Sequence, residues 1–357
     1  MLLGIVKEHQ DRRVALVPSM VAKFRKLGLE LMMEYDAGIN AGFRNSDYAD
    51  VTFSDRQTVI NSADMLVSLN PLSQEEYQRT KSDVWIISLF APYFDDSQVK
   101  ALKSLPRNVL SMDMIPRTTL AQTMDVLSSM ASVAGYRAVL LAAAHSARYF
   151  PMLMTAAGTI KPSKVVILGA GVAGLQAIST ARRLGAVVEV FDTRAAVKEE
   201  VESLGGKFIE VEGAKDDKGA GGYAVEQSED YLKRQRDLVQ EKAAKADVLI
   251  TTAQVRGKKA PILVTKDTIE KMNPGSVIVD LAASTGGNCD LTQDNKTIVH
   301  QGVTIIGDSN LAAGMPSDAS FLFANNVHNY VKSFLNKEGQ IVIDDKNEIF
   351  QASWVTK

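Results

Sequence analysis

The segment Gly169-Ala170-Gly171-Val172-Ala173-Gly174 follows the apolar run KVVIL directly; a helical pattern closed by Gly185 comes next, then a second apolar run ending at Asp192. Each residue type in that unit has a physical task. Gly169 permits the tight turn, Gly171 lets backbone approach a pyrophosphate with no Cβ in the way, and Gly174 lets the helix pack closely on its strand. The helix N-terminus offers N–H groups to phosphate. Asp192, 23 residues beyond Gly169, stands where a carboxylate accepts hydrogen bonds from the adenosine ribose hydroxyls. The unit therefore reads as a dinucleotide site. A carboxylate at that place repels a 2′-phosphate, so NAD(H) is expected over NADP(H). Arg194 pulls the other way, since an arginine there can hold a 2′-phosphate; Asp192 weighs more because it ends the strand itself.

A second stretch, RTTLAQTMDVLSSM (117–130), reads as a helix with an unusual surface. Leu120, Met124, Leu127 and Ala131 recur with helical spacing and mark a buried stripe. Gln122, Asp125 and Ser129 fall on another face, with Ser128 close by and Arg117 one turn ahead. Short hydrogen-bonding groups there, where a solvated face carries Lys and Glu, suit the gripping of a ligand in a cleft between domains. The glycine-rich run 213–222, followed by Tyr223, admits two readings from its residues alone: a surface insertion, or a lid anchored by Tyr223.

Other chemistries lack their residues. His9, His145, His300 and His328 are scattered and form no metal-ligand spacing with Cys289, so no metal site is expected. There is no Gly-x-Ser-x-Gly elbow and no phosphate loop ending in Gly-Lys-Ser/Thr. Hydride transfer needs neither, because the nicotinamide carries the reaction and the protein positions it.

The elements that must hold these groups follow from the apolar pattern. In 357 residues with 46% hydrophobic content there is material for two domains. A formal charge of −2 gives no basic surface for nucleic acid or for lipid headgroups. A lone cysteine excludes an internal disulfide and fits a reducing compartment. The N-terminus has no signal-peptide pattern and no ~20-residue apolar run is evident, so direct membrane insertion is not expected. Up to about Asp113, LLGIV, LELMMEY, DMLVSL, DVWIISLF and NVLSMD read as strands. Helical patterns at Ser19–Leu27, Asp55–Asn61, Gln74–Thr80 and Ser97–Leu105 separate them. The helix beginning at Arg117 runs on to about Phe150, with Gly135 a weak point, and bridges to a second series: KVVILG, VVEVFD, KFIEVE, ADVLITT, GSVIVDL and GVTIIGD. The helix in DASFLFANNVHNYVKSFL returns to the first domain, and QIVIDDKNEIFQAS suggests a small hairpin. The expected fold is α/β: two doubly wound, mostly parallel-sheet domains joined by long helices, the second a Rossmann NAD-binding domain. The expected boundaries are 1–127 plus 312–357 for the first domain and 128–311 for the second.

GIVKEHQDRRVALVPSMV, PRTTLAQTMDVLSSMASVAGYRAV, ILGAGVAGLQA, FDTRAAVKEEVESLGGKF, GGYAVEQSEDYLKRQ, KKAPILVTKDTIEKMNPGSVIVDLA and GGNCDLT together resemble a known family over nearly the whole chain. It is the NAD(H)-binding component (domain I, the alpha or alpha-1 subunit) of proton-translocating NAD(P) transhydrogenases, Si/Re-specific enzymes related to alanine dehydrogenases. The resemblance implies a half-site enzyme that binds NADH and passes hydride directly to NADP⁺ on a partner beta subunit. Arg117, Gln122, Asp125 and Ser128 would orient the nicotinamide end. Gly169, Gly171, Val172 and Gly174, with Asp192, Thr193 and Arg194, would hold the pyrophosphate and adenosine. Gly222, Tyr223 and Gln235 would form a closing loop and its base, and Gln254 would line the cleft, although an apolar residue is usual there. The family pairs as homodimers and works at the cytoplasmic face of the inner membrane through separate membrane-spanning subunits. The alternatives are an alanine dehydrogenase and a non-catalytic NAD-binding module. Against the first, the dehydrogenase lysine, histidine and aspartate positions hold Val67, Phe90 and Ser284, while Arg13 is kept.

Overall fold

Short apolar runs become parallel strands joined by helices, two of which start at side-chain caps. Asp55 accepts a hydrogen bond from the Thr58 N–H (3.0 Å) and opens the helix Arg56–Ser62. Ser73 and Glu76 form a reciprocal capping box at the head of Gln74–Arg79. With the helices Pro18–Arg25 and Ser97–Lys103, these connect β1 (Leu2–Ile5), β2 (Glu30–Glu34), β3 (Thr52–Ser54), β4 (Met65–Val67), β5 (Trp85–Ser88) and β6 (Asn108–Ser111). The strands form one parallel sheet in the order β3-β2-β1-β4-β5-β6, a doubly wound topology. β3 has no counterpart among the runs read as strands: its residues, TFS, are exposed or half-buried and carry no apolar run.

The computed structural model describes residues 1–211 and 228–357. The chain divides into two compact units, Met1–Met130 with Ala312–Lys357, and Ala131–Leu311. The helix Pro316–Lys332 belongs to the first, and its Phe323, Val327, Tyr330 and Val331 lie in the same core as Leu3, Ile5 and Leu31. The C-terminal segment is not a hairpin. Asn347 caps a helix, Glu348–Ser353, by accepting from the Phe350 N–H (3.1 Å), and Phe350 is buried against Trp85, Phe334 and Trp354.

In the second unit a short antiparallel hairpin, β7 (Leu153–Thr155) and β8 (Gly158–Ile160), precedes the large sheet. That sheet holds β9 (Lys164–Leu168), β10 (Val187–Phe191), β11 (Lys207–Phe208), β12 (Val248–Thr251), β13 (Val277–Asp280), β14 (Lys296–His300) and β15 (Val303–Gly307). Among the described residues its order is β11-β10-β9-β12-β13-β15-β14, parallel except for β14. β14 is a further strand beyond those expected, an exposed edge joined to β15 through Gln301 and Gly302, both at positive φ, as a two-residue hairpin turn requires.

The long helix differs most from its expectation. Residues 119–124 form a 3₁₀ segment, and the α-helix is Val126–His145. Leu120, placed in the buried stripe, is 84% exposed. Gly135 is no weak point: a Cβ there would stand 2.1 Å from the Ala173 carbonyl oxygen, so its absence allows close packing. This helix is long and apolar enough to cross a membrane by length and composition, contrary to the expectation that no such run exists. Its Ala138, Val139 and Ala142 lie in the apolar core of the second unit.

Candidate functional site

In the second unit the chain leaves β9 toward β10 on one side and returns to β12 on the other, so a crevice opens beyond the carboxyl ends of β9 and β12. The glycine loop sits there. Gly169 has φ +108°, and a Cβ on it would stand 2.4 Å from the Thr252 Oγ1. A Cβ on Gly174 would stand 1.9 Å from the Gly169 carbonyl oxygen, so the third glycine sets how closely the helix lies on the loop. A Cβ on Gly171 would meet nothing within 4 Å: backbone faces open space where a pyrophosphate would rest. Gly171 is also the N-cap of the helix Val172–Arg183 and brings no side-chain cap to its first-turn N–H groups, which suits them to an anion. These features fit a nicotinamide dinucleotide.

Asp192 follows β10 and is tightly held. Its Oδ2 accepts from the Ala170 N–H (2.7 Å) and the Arg194 Nη2 (2.9 Å); its Oδ1 accepts from the Arg194 N–H (2.8 Å) and Nε (3.0 Å). Burial raises its pKa, but the Arg194 guanidinium and the two backbone N–H groups outweigh that and leave it below the usual carboxylate range. Thr193 lies between the two and is exposed. Gln254, three residues past the end of β12, is exposed; its Nε2 is 3.5 Å from the Thr285 Oγ1. Gln235 lies half-buried on the helix Glu229–Ala244. Gly222 and Tyr223 fall outside the described residues.

Three residues of this crevice escaped the sequence reading. Thr252 donates toward the carbonyls of Leu168 (3.3 Å) and Gly169 (3.2 Å), tying β12 to the glycine loop. Asn288 clamps Ala253 through both its amide atoms (3.0 and 2.8 Å). Asp280, fully buried, accepts from the N–H groups of Ala282, Asn288 and Cys289 and from the Thr292 hydroxyl, which folds the DLAASTGGN turn around it. Thr252 and Asp280 stand at or just past strand ends, and Asn288 follows the Gly286-Gly287 pair, but nothing local in the sequence says what they brace. Cys289 is buried and its thiol is pushed well up by burial, which makes it a packed residue.

In the first unit Asp125 separates the 3₁₀ segment from the long helix and caps the latter: its Oδ1 accepts from the Ser128 N–H at 2.9 Å. The Ser128 hydroxyl donates to Asp125 Oδ2 (2.6 Å), and Arg117 donates from Nη2 to Ser128 Oγ (2.8 Å) and from Nε to Asp125 Oδ2 (3.4 Å). Arg117, Asp125 and Ser128 thus form one hydrogen-bonded cluster. Gln122 is exposed on the 3₁₀ segment and outside that cluster. The shared helical face expected for Gln122, Asp125 and Ser129 does not exist, because helical periodicity stops at Asp125.

Val67 and Phe90, at the places where a dehydrogenase needs lysine and histidine, are buried in apolar clusters, and Ser284 is exposed. Arg13 is engaged bidentately by Asp11, at 3.0 Å (Nε–Oδ1) and 2.6 Å (Nη2–Oδ2). Among the described residues no group of three or more His, Cys, Asp or Glu could hold a metal ion.

The sequence and the fold both match known proteins. Residues 4–134 match the model of the alanine dehydrogenase/PNT N-terminal domain and residues 138–357 that of the C-terminal domain. The chain is 41% identical to the first portion of the NAD(P) transhydrogenase alpha subunit of Rhodospirillum rubrum, over all of this chain and 96% of that one. Its fold matches the crystal structure of transhydrogenase from Sinorhizobium meliloti with a TM-score of 0.91 and 37% identity, covering 99% of this chain and 97% of the other. An L-alanine dehydrogenase structure matches with a TM-score of 0.78 and 25% identity, over all of this chain and 93% of that one. The chain belongs to the alanine dehydrogenase/PNT family, among the alpha subunits of the NAD(P) transhydrogenases.

Proposed function

We propose that this chain is the NAD(H)-binding subunit of a proton-translocating, Si/Re-specific transhydrogenase, and that hydride passes directly between NADH held here and NADP⁺ held by a partner subunit. The observation that carries this reading is a complete dinucleotide cradle in a chain whose Val67 and Phe90 are buried and apolar. With no lysine or histidine there, nothing polarises a keto acid or moves its proton, which disfavours an amino-acid dehydrogenase. The nicotinamide supplies the hydride chemistry; the protein's part is orientation, since donor and acceptor carbons must come within ~3–3.5 Å.

In this reading Gly169, Gly171, Val172 and Gly174 receive the pyrophosphate, and Asp192, Thr193 and Arg194 the adenosine. Arg117, Gln122, Asp125 and Ser128 orient the nicotinamide end. Gly222, Tyr223 and Gln235 close over it, and Gln254 lines its cleft. Asp125 and Ser128 are fixed by their mutual hydrogen bonds, whereas Gln122 is exposed and can turn toward a ligand. The subunit works as a homodimer. Exposed Met152, Leu153, Met154 and Ile160 on and beside the β7–β8 hairpin, and an apolar helix only a third buried, favour a covering partner copy. Coupling to proton movement resides in membrane-spanning partner subunits, which hold the chain at the cytoplasmic face.

The test is reconstitution. Purified chain with NADH should reduce NADP⁺ only when the NADP(H)-binding partner component is added. Failure with a competent partner would favour a non-catalytic NAD-binding module.

A further inference from the structure

The Asp192 carboxylate has about four lone-pair directions, and all four are taken: one by the Ala170 N–H and three by Arg194, through its backbone N–H, Nε and Nη2. The guanidinium therefore lies flat along the carboxylate as a two-pronged ion pair, with the Asp192 side chain 8% exposed and that of Arg194 35% exposed. Two consequences follow. Ribose hydroxyls gain access to Asp192 only as an Arg194 prong moves aside. The guanidinium, whose planar fork also matches a phosphate, is meanwhile held away from any phosphate on the ribose.

We propose that the Asp192–Arg194 pair sets nucleotide specificity as a unit: Asp192 rejects a 2′-phosphate by its charge and also by withholding Arg194, which is a latent 2′-phosphate ligand. The pair thus explains how an arginine can stand at this site without conferring NADP(H) binding. This rests on the proposed NAD(H) site and deepens it. Neutralising Asp192 at constant size removes the repulsion and releases the guanidinium. Glu200, whose charge also acts on Arg194, is then the remaining competitor for it.

The experiment is equilibrium titration of NADH and NADPH onto the full chain, with thermal melting recorded for each variant. Wild type should prefer NADH. In Asp192→Asn, NADPH affinity should rise and NADH affinity fall, each by about tenfold to a hundredfold, the range of one charge-assisted contact. Adding Arg194→Ala to Asp192→Asn should cancel the NADPH gain, and adding Glu200→Gln should enlarge it. Asp192→Ser, which leaves more room for a phosphate, should behave as Asp192→Asn and serves if the latter folds poorly. The proposal is overturned if folded Asp192→Asn and Asp192→Ser both bind NADPH as weakly as wild type, or if the gain survives Arg194→Ala. Failure of the wild-type chain to bind NADH would overturn the site itself, and this proposal with it.

Discussion

Gly135→Ala is the substitution whose effect can be worked most fully from geometry. The new Cβ would stand 2.1 Å from the Ala173 carbonyl oxygen and 3.0 Å from its Cα. Carbon and carbonyl oxygen rest at roughly 3.3 Å, so one helix must yield by about 1 Å. Ala173 lies in the first turn of the helix whose N–H groups are offered to the pyrophosphate. On the other side that turn is held by Gly174, packed on Gly169, so the displacement falls on the cradle. Overpacking of this kind costs about 1–3 kcal/mol. If the helix start relieves the strain by moving, NADH affinity drops by about fivefold to about 150-fold. The assay is NADH titration beside a melting curve, with Val303→Ala as a control for lost stability away from the cradle; Val303 is buried in β15. The control should melt lower and bind NADH as wild type does. A Gly135→Ala protein that also melts lower but keeps wild-type affinity would rule this coupling out, because the contact would then be merely structural.

Further outcomes are expected. Asp125→Ala should lose about 1 kcal/mol of stability as the cap on Ser128 goes, and should slow hydride transfer to the partner more than it weakens NADH binding. Gln122→Asn should likewise reduce the transfer rate rather than affinity, and an equal fall in both would make Gln122 a simple binding contact. Burial raises the Asp11 pKa, but the Arg13 guanidinium and N–H more than offset it and set the carboxyl at about 2 in place of 3.8. A depressed carboxylate contributes stability that is present above its unfolded value and lost as pH falls toward the folded one. Asp11→Asn should therefore be less stable than wild type by about 2 kcal/mol at neutral pH, with the gap in urea midpoints closing below about pH 4. Pyruvate with ammonia should not oxidise NADH in the presence of this chain; steady turnover would revive the dehydrogenase reading.

Much of the architecture was legible because buried parallel strands read as unbroken apolar runs, as KVVIL and GSVIVDL do. β3, the β7–β8 hairpin and β14 were not, because none carries a buried apolar run: β3 is exposed or half-buried, β7 and β8 are exposed, and β14 is an edge strand with polar residues such as Lys296 and His300. The segment 117–130 shows a subtler loss. A six-residue 3₁₀ stretch and an α-helix share nearly the same periodicity, so the apolar pattern ran through the break; the clue was Asp125, three residues before Ser128, in the position of a helix cap. Gly135 was misread because glycine in a helix registers as weak propensity, while its reason here, the Ala173 backbone, is distant in sequence. The glycine loop and Asp192 were legible as a unit because their spacing is local. Thr252, Asp280 and Asn288 were not, since what they brace is set by the order of strands in the sheet. The Asp192–Arg194 pairing lies between these cases: both residues were in view, and only side-chain geometry shows that one holds the other.

At the heart of the proposed function is direct hydride transfer from the nucleotide on this chain to one on a partner. The decisive experiment combines NADH deuterated at the transferring C4 position, the full chain, the NADP(H)-binding partner component and NADP⁺ in ordinary water. Direct transfer requires deuterium at C4 of the NADPH formed, without loss to solvent. Protium at that carbon, or NADPH formed at the same rate without this chain, would exclude it.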